Sequence, residues 1–221
     1  MQRFLRDNGL SLVLLGIFLG TLIGQSITGF QVYNNDQRDH QQATISFGTY
    51  LTTGHFVEAV FENWESEFLQ DAAYVILTVY LYQRGSSESK DPDKQEAVDA
   101  DPRESQADPD APWPVRRGGA WLKLYEYSLF LAFLALFVLA FVLHALGGAR
   151  EYNHEQVLHG GETVSTLQYV GTSQFWFESF QNWQSEFLAL LSIVTLSIVL
   201  RQRGSPESKP VASPHFKTGE D

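Results

Sequence analysis

Four apolar stretches divide the chain, with strongly polar stretches between them. The first, Leu10 to Phe30, contains no charged residue. At ~1.5 Å per residue, its roughly 21 residues are enough to cross a hydrocarbon layer about 30 Å thick. The third, Leu122 to Leu146, is almost entirely Leu, Phe, Ala and Val from Ser128 onward. The second and fourth, Phe68 to Tyr82 and Phe187 to Leu200, are shorter. They reach a spanning length of ~28 Å if their helices begin just after Asn63 and Asn182, asparagine being a preferred N-cap. The pattern predicts an all-α polytopic membrane protein with four transmembrane helices, at about 10–30, 64–82, 122–146 and 183–201.

The chain is built twice. Shifted by 119 residues, Gly29–Lys90 aligns without a gap on Gly148–Lys209, with 27 of 62 positions identical. Matched pairs include Tyr33/Tyr152, Asn34/Asn153, Tyr50/Tyr169, Trp64/Trp183 and Glu67/Glu186. Each copy is span, loop, span, which returns the chain to its starting side, so the two two-helix repeats insert in tandem with the same orientation. The predicted organisation is a first repeat over 1–84 with an outer loop at 31–63, and a second over 120–209 with an outer loop at 147–182. Between them, 85–119 is rich in Asp, Glu and Pro and too poor in apolar residues to offset ordering entropy, so a disordered acidic linker is expected there, and a similar tail at 210–221.

Basic residues set the orientation. Arg3, Arg6, Arg84, Lys90, Arg116, Arg117, Lys123, Arg201, Arg203 and Lys209 flank the same ends of the spans, while only Arg38 and Arg150 belong to the loops. The positive-inside rule then puts both termini in the cytoplasm and both loops outside, as a multi-pass protein of a bacterial cytoplasmic (inner) membrane. A cleavable leader ending near Gly24-Gln25-Ser26 is the competing account of the first run. It conflicts with the repeat, in which that run has an internal counterpart.

Charge and composition narrow the chemistry. The formal charge is −11, from 15 basic and 26 acidic residues, the wrong sign for a phosphate-binding surface, so nucleic acid is not an expected partner. No cysteine is present, which removes disulfides, cysteine-ligated metals and thiol nucleophiles. No nucleophile elbow, phosphate-binding glycine loop or complete triad occurs, so neither an enzyme nor a cofactor is expected.

Several motifs remain. Gly16, Gly20 and Gly24 form a small-residue stripe suited to close helix packing, within the chain or between two copies. Glu67 and Glu186, with Asp71 one turn deeper than Glu67, admit two accounts. They form a proton or cation path near the symmetry axis, or they sit in the first helical turn after an asparagine cap, where the helix dipole favours negative charge. Asp36/His40 and Glu155/His159 are carboxylate–histidine pairs at i,i+4, either exposed ion pairs or together a ligand set for zinc or another divalent ion. Asn63-Trp64 and Asn182-Trp183 lie among aromatics of the kind that anchor at the membrane interface.

The doubled Phe-x-Asn-Trp-[Glu/Gln]-Ser-Glu-Phe-Leu at 61–69 and 180–188 is joined by Tyr-Asn-x-[Asp/Glu]-Gln-x-x-His at 33–40 and 152–159. With the Gln-Arg-Gly-Ser-x-Glu-Ser-Lys tracts at 83–90 and 202–209, these motifs resemble a family of bacterial membrane proteins known only as a domain of unknown function. The resemblance implies a bacterial cytoplasmic-membrane protein and brings no activity with it. The expected partners are the lipid bilayer and a second copy or another membrane protein. The expected role is structural, or an envelope interaction through the outer loops, with small-ion or proton transport through paired Glu67 and Glu186 as the alternative.

Overall fold

The computed structural model describes residues 2–219; Met1, Glu220 and Asp221, the outermost limits of the predicted segments, lie outside the described residues. Every regular element among the described residues is helical. In order these are α1 (Gln2–Asp7), α2 (Gly9–Asp39), α3 (Phe47–Tyr50), α4 (Gly54–Tyr80), α5 (Trp113–Arg117), α6 (Gly119–Glu126), α7 (Ser128–Leu158), α8 (Thr166–Val170) and α9 (Ser173–Leu196). Two 3₁₀ turns, Ala97–Asp99 and Pro102–Ser105, lie between α4 and α5.

Among the described residues two helices, not four, are long and apolar enough to cross a membrane: α2 and α7, each of 31 residues. The expectation of four spans is corrected by where the other two helices begin and end. Asn63 and Asn182 are not caps. Helix α4 starts at Gly54 and α9 at Ser173, so both asparagines lie well inside continuous helices. The observed caps are threonines, with Thr53 Oγ1 accepting from Phe56 N–H at 3.2 Å and Thr172 Oγ1 from Phe175 N–H at 3.3 Å. The early start draws Glu58, Glu62 and Glu65 into α4 and Glu178 into α9, and α9 ends at Leu196, short of the remaining apolar residues to Leu200. Glu67 and Glu186 are therefore mid-helix, and the account of them as first-turn residues after an asparagine cap falls with the caps.

The chain forms two compact units, and each takes segments from both halves of the sequence. The first consists of residues 1–61 and 142–175. Here α2 and α7 end in the same way. Gln42 N–H bonds Gln37 O at 2.7 Å and Gln41 N–H bonds Arg38 O, and Gly161 N–H bonds Gln156 O at 2.7 Å and Gly160 N–H bonds Val157 O. This is the Schellman arrangement, with the left-handed position held by Gln41 (φ 59°) in one copy and Gly160 (φ 73°) in the other. The chain then returns along the helix it has left. Asn34 clamps Ile45 through both main-chain groups, at 2.8 and 3.1 Å, and Asn153 clamps Val164 at 2.7 and 2.8 Å. Ser46 and Ser165 cap α3 and α8, which bury Tyr50 and Tyr169. Each phenol presses on a glycine of the preceding long helix. A Cβ on Gly29 would meet the Tyr50 hydroxyl at 2.2 Å, and one on Gly148 the Tyr169 hydroxyl at 2.5 Å.

Toward its N-terminus α2 has a different character. Leu10 is 76% exposed, and Val13, Leu14, Ile17 and Ile23 are exposed with it. No atom lies within 4 Å of where a Cβ would stand on Gly16, Gly20 or Gly24, so no other part of the described chain packs on that stripe.

The second unit consists of residues 62–141 and 176–221. In it the two Gln-Arg-Gly-Ser-x-Glu-Ser-Lys tracts form the same turn. Gln83 N–H bonds Ser89 Oγ and Gln202 N–H bonds Ser208 Oγ, both at 2.9 Å, around left-handed Gly85 (φ 86°) and Gly204 (φ 84°). The lysines that close the tracts differ. Lys90 pairs with Asp99, whereas Lys209 is buried and donates to the carbonyls of Gly85, His215 and Lys217. Through those bonds residues 209–219 are drawn onto 85–89, and Gly219 N–H reaches Ser86 O at 3.0 Å.

Candidate functional site

The first unit gathers chemistry at the C-terminal ends of α2 and α7. Five of the six histidines belong to it: His40, His55, His144, His154 and His159. The helices meet where Gln37 Nε2 lies 2.9 Å from His154 Nε2 and Tyr33 stacks on the His154 ring at 6.1 Å. Tyr33 also lies edge-on to His55, 5.6 Å between centroids, and His55 Nδ1 is 3.2 Å from the Tyr50 hydroxyl. Two phenol rings and two imidazoles thus lie against one another at this meeting point.

Glu151 belongs to the same region. Its carboxylate accepts the main-chain N–H of His55, in the first turn of α4, where helix amides lack intrahelical acceptors. Helix approach at this point is close enough that a Cβ on Gly54 would stand 2.5 Å from Glu151 N and 2.8 Å from Gly147 O. Burial is the main reason the Glu151 carboxyl is pushed up to about 7; the His55 amide opposes the rise, and the charges of Glu155 and Asp36 add to it. Burial also pushes His55 below its ordinary value, against the pull of Asp36 and Glu155, and raises the phenols of Tyr33 and Tyr50. At neutral pH this places a carboxyl near the middle of its titration beside an imidazole whose neutral form burial favours.

The paired Asp36/His40 and Glu155/His159 come together here. His40 Nδ1 is 3.3 Å from Asp36 Oδ1, His159 Nδ1 is 3.7 Å from Glu155 Oε2, and the two imidazole centroids are 5.8 Å apart. The remaining sequence candidates fall elsewhere. Glu67 is exposed and Glu186 and Asp71 are half-buried, and the charges of Glu186 and Asp71 both act on Glu67. The acid enclosed completely is instead Glu65, which accepts the indole N–H of Trp183 at 3.0 Å. Trp64 has a different contact, its ring lying edge-on to Phe68 at 6.5 Å. Asn63 is exposed, and Asn182 donates to Glu178 O one turn back in its own helix.

Sequence reasoning missed Glu65 because its counterpart is Gln184, and missed Glu151 because its counterpart is Val32. Attention to identical pairs passes over a residue present in one copy only. A signal for Glu151 was available: it is an acid just beyond the third apolar run, directly after Arg150.

A family described as a domain of unknown function matches residues 1–220. No curated protein and no solved structure matches the chain.

Proposed function

We propose that this chain, which belongs to the DUF6766 family, is a non-enzymatic membrane protein that presents the first unit's polar head outside a bacterial cytoplasmic membrane as a binding surface. The observation that carries this reading is the contrast along α2. Its first 20 residues display Leu, Val, Ile and Phe side chains with little protein cover, and its last 11 are held in the head. Apolar surface left in water costs about 25 cal/mol per Å², and a contiguous exposed patch of this kind marks a lipid or protein contact. About 20 residues cross a bilayer core. Counted from Gly9, that length ends at Thr28, next to Gly29, on which Tyr50 packs. Counted from Ser128, it ends at Gly147, beside Gly148. In both helices that length ends beside the glycine on which the buried tyrosine packs.

The natural absence of cysteine makes the test direct. Leu14→Cys and Leu167→Cys replace side chains that are both exposed on the protein itself, at 56% and 86%. A membrane-impermeant maleimide added to intact spheroplasts should label Leu167→Cys and leave Leu14→Cys unlabelled. Equal labelling of both would remove the membrane reading, and labelling of Leu167→Cys only after lysis would invert the orientation.

A second reading, passage of protons or small cations, is favoured by the charges of Glu186 and Asp71 acting together on Glu67. The combined Glu67→Gln/Glu186→Gln variant in proteoliposomes separates the two. An unchanged proton flux supports the binding role, and its loss supports transport.

A further inference from the structure

We propose that His40 and His159 bind one divalent transition-metal ion through their Nε2 atoms, so that the ion ties the first repeat to the second at the tips of α2 and α7. The first support is the state of each imidazole. His40 Nδ1 lies 3.1 Å from the Asp36 main-chain carbonyl and 3.3 Å from its carboxylate; His159 Nδ1 lies 2.9 Å from the Glu155 carbonyl and 3.7 Å from its carboxylate. With Nδ1 donating to oxygen, each ring is held as the tautomer whose Nε2 carries the lone pair. This is the second-shell arrangement that orients metal-ligating histidines. Neither Nε2 has a hydrogen-bond partner among the described residues. His154 differs, its Nε2 being engaged by Gln37, and His55 has its Nδ1 against Tyr50.

The second support is spacing. A zinc–nitrogen bond of about 2.1 Å puts the ion about 3.2 Å from the ring centroid, so two imidazoles at a tetrahedral angle have centroids about 5.2 Å apart. The rings of His40 and His159 are 5.8 Å apart at 79°, about 0.6 Å beyond that value before any adjustment. Their helices are already fixed to each other one turn back by Gln37 and His154.

The third support is charge. Asp36 and Glu155 act jointly on Tyr33, His55 and Glu151, so the region carries a negative field. Arg38, the nearest guanidinium in the sequence, is turned back onto Asn34 O and Asn35 Oδ1. Imidazole nitrogen selects zinc, copper, nickel or cobalt over magnesium and calcium, and two protein ligands leave the other positions to water or a carboxylate.

The test is calorimetric titration of zinc into the full chain, tag-free and in detergent. One ion per chain is expected. His40→Gln or His159→Gln should weaken binding at least tenfold, and the double variant should lose saturable binding. Asp36→Asn and Glu155→Gln, which leave the ligands in place, should weaken it by roughly tenfold as outer-shell changes do. Melting without metal shows that each variant is folded, and cobalt in place of zinc should give the visible absorption of a nitrogen-ligated site that the double variant lacks. The absence of saturable zinc binding in the natural sequence, binding that survives in the folded double variant, or displacement of zinc by excess magnesium would each overturn the proposal.

Discussion

The two copies of the repeat agree in their framework and differ in their chemistry. Gly29 under Tyr50 and Gly148 under Tyr169, Asn34 on Ile45 and Asn153 on Val164, and Thr53 and Thr172 as caps all repeat. So do the ring pairs Tyr50–Phe56 and Tyr169–Phe175, both at 5.5 Å. In contrast, Glu151 and His55 have Val32 and Gln174 as counterparts, and Glu65 has Gln184. Residues kept in both copies include those that hold the shared framework, such as the tyrosine–glycine and asparagine contacts above. A buried ionisable group found in one copy cannot be required for that shared fold. The comparison therefore singles out Glu151, His55 and Glu65 as groups the shared fold does not require, and it can be broken one pair at a time.

The largest effect should come from the contact between α4 of the first copy and α7 of the second, compared with the equivalent positions on α2 and α9. A Cβ on Gly147 would stand 2.6 Å from Glu58 N, and one on Gly54 2.5 Å from Glu151 N, both backbone atoms that cannot turn aside. The corresponding residues, Thr28 and Ser173, already carry side chains and are exposed. Gly54→Ala and Gly147→Ala should each destabilise by about 3 kcal/mol or more, outweighing the gain of about 1 kcal/mol that alanine brings to a helix interior. Thr28→Ala and Ser173→Ala should stay within about 0.5 kcal/mol. Chemical denaturation in detergent measures all four, and equal effects across the pairs would mean that the close approach is not confined to α4 with α7.

Much of this framework could be read beforehand, for uneven reasons. Helical class and the two bilayer-length runs were legible because each of these helices leaves a long, almost uninterrupted apolar stretch. The starts of α4 and α9 were not. Thr53 and Thr172 lie in polar, glycine-containing loops, whereas Asn63 and Asn182 stand directly before the apolar runs and look like caps. The identity of Tyr50 with Tyr169 and Asn34 with Asn153 was visible, but their partners are a glycine and main-chain groups, which no residue pattern announces. At the candidate site, i,i+4 spacing correctly put each histidine beside its own carboxylate. The meeting of the two pairs depends on the pairing of α2 with α7, which a single sequence does not encode locally.

The carboxyl without a counterpart in the other copy gives the next effect. Glu151 is raised from 4.5 to about 7, so it favours the folded state most below its ordinary value, and that contribution fades as pH rises through about 7. The rise corresponds to about 3 kcal/mol. His55 works in the opposite sense: lowered on folding, it contributes fully above 6.5 and loses that contribution as pH falls. Melting temperature should therefore rise on acidification from pH 8 to 5 relative to Glu151→Gln, and the variant should keep only the opposing histidine effect. Parallel profiles for the two proteins would show that Glu151 titrates as an ordinary surface acid.

The two phenols sharpen the comparison on a smaller scale. Tyr169 donates to Glu58 Oε1 at 3.2 Å, and Tyr50 lies at the same distance from His55 Nδ1. A bond to a charged acceptor contributes about 1.5–3 kcal/mol and one between neutral groups about 1 kcal/mol. Tyr169→Phe should therefore cost more than Tyr50→Phe, although both rings fill the same place. Equal losses would point to packing rather than the hydroxyls as what each tyrosine supplies.

The smallest effect concerns the turn after each long helix. Gln41 and Gly160 occupy the same left-handed position, at φ 59° and 73°, and a Cβ on Gly160 would meet nothing within 4 Å. Packing is thus absent from the balance, and backbone strain is left. An L-residue in that conformation costs roughly 1–2 kcal/mol, while glycine there forgoes the strain but gives the unfolded chain more freedom to lose. Gly160→Ala should destabilise by about 1 kcal/mol, and Gln41→Gly should stabilise by somewhat less, because the added unfolded-state entropy offsets part of the relief. Hydrogen exchange at the Gln42 and Gly161 amides, which close the two Schellman turns, reports on each copy separately. If Gln41→Gly slowed exchange at Gln42 while leaving Gly161 unchanged, the first copy would be carrying strain that the second has shed. If exchange at Gln42 quickened instead, the glutamine would be supporting the turn through its own side chain, and the two copies would end their helices by different physics.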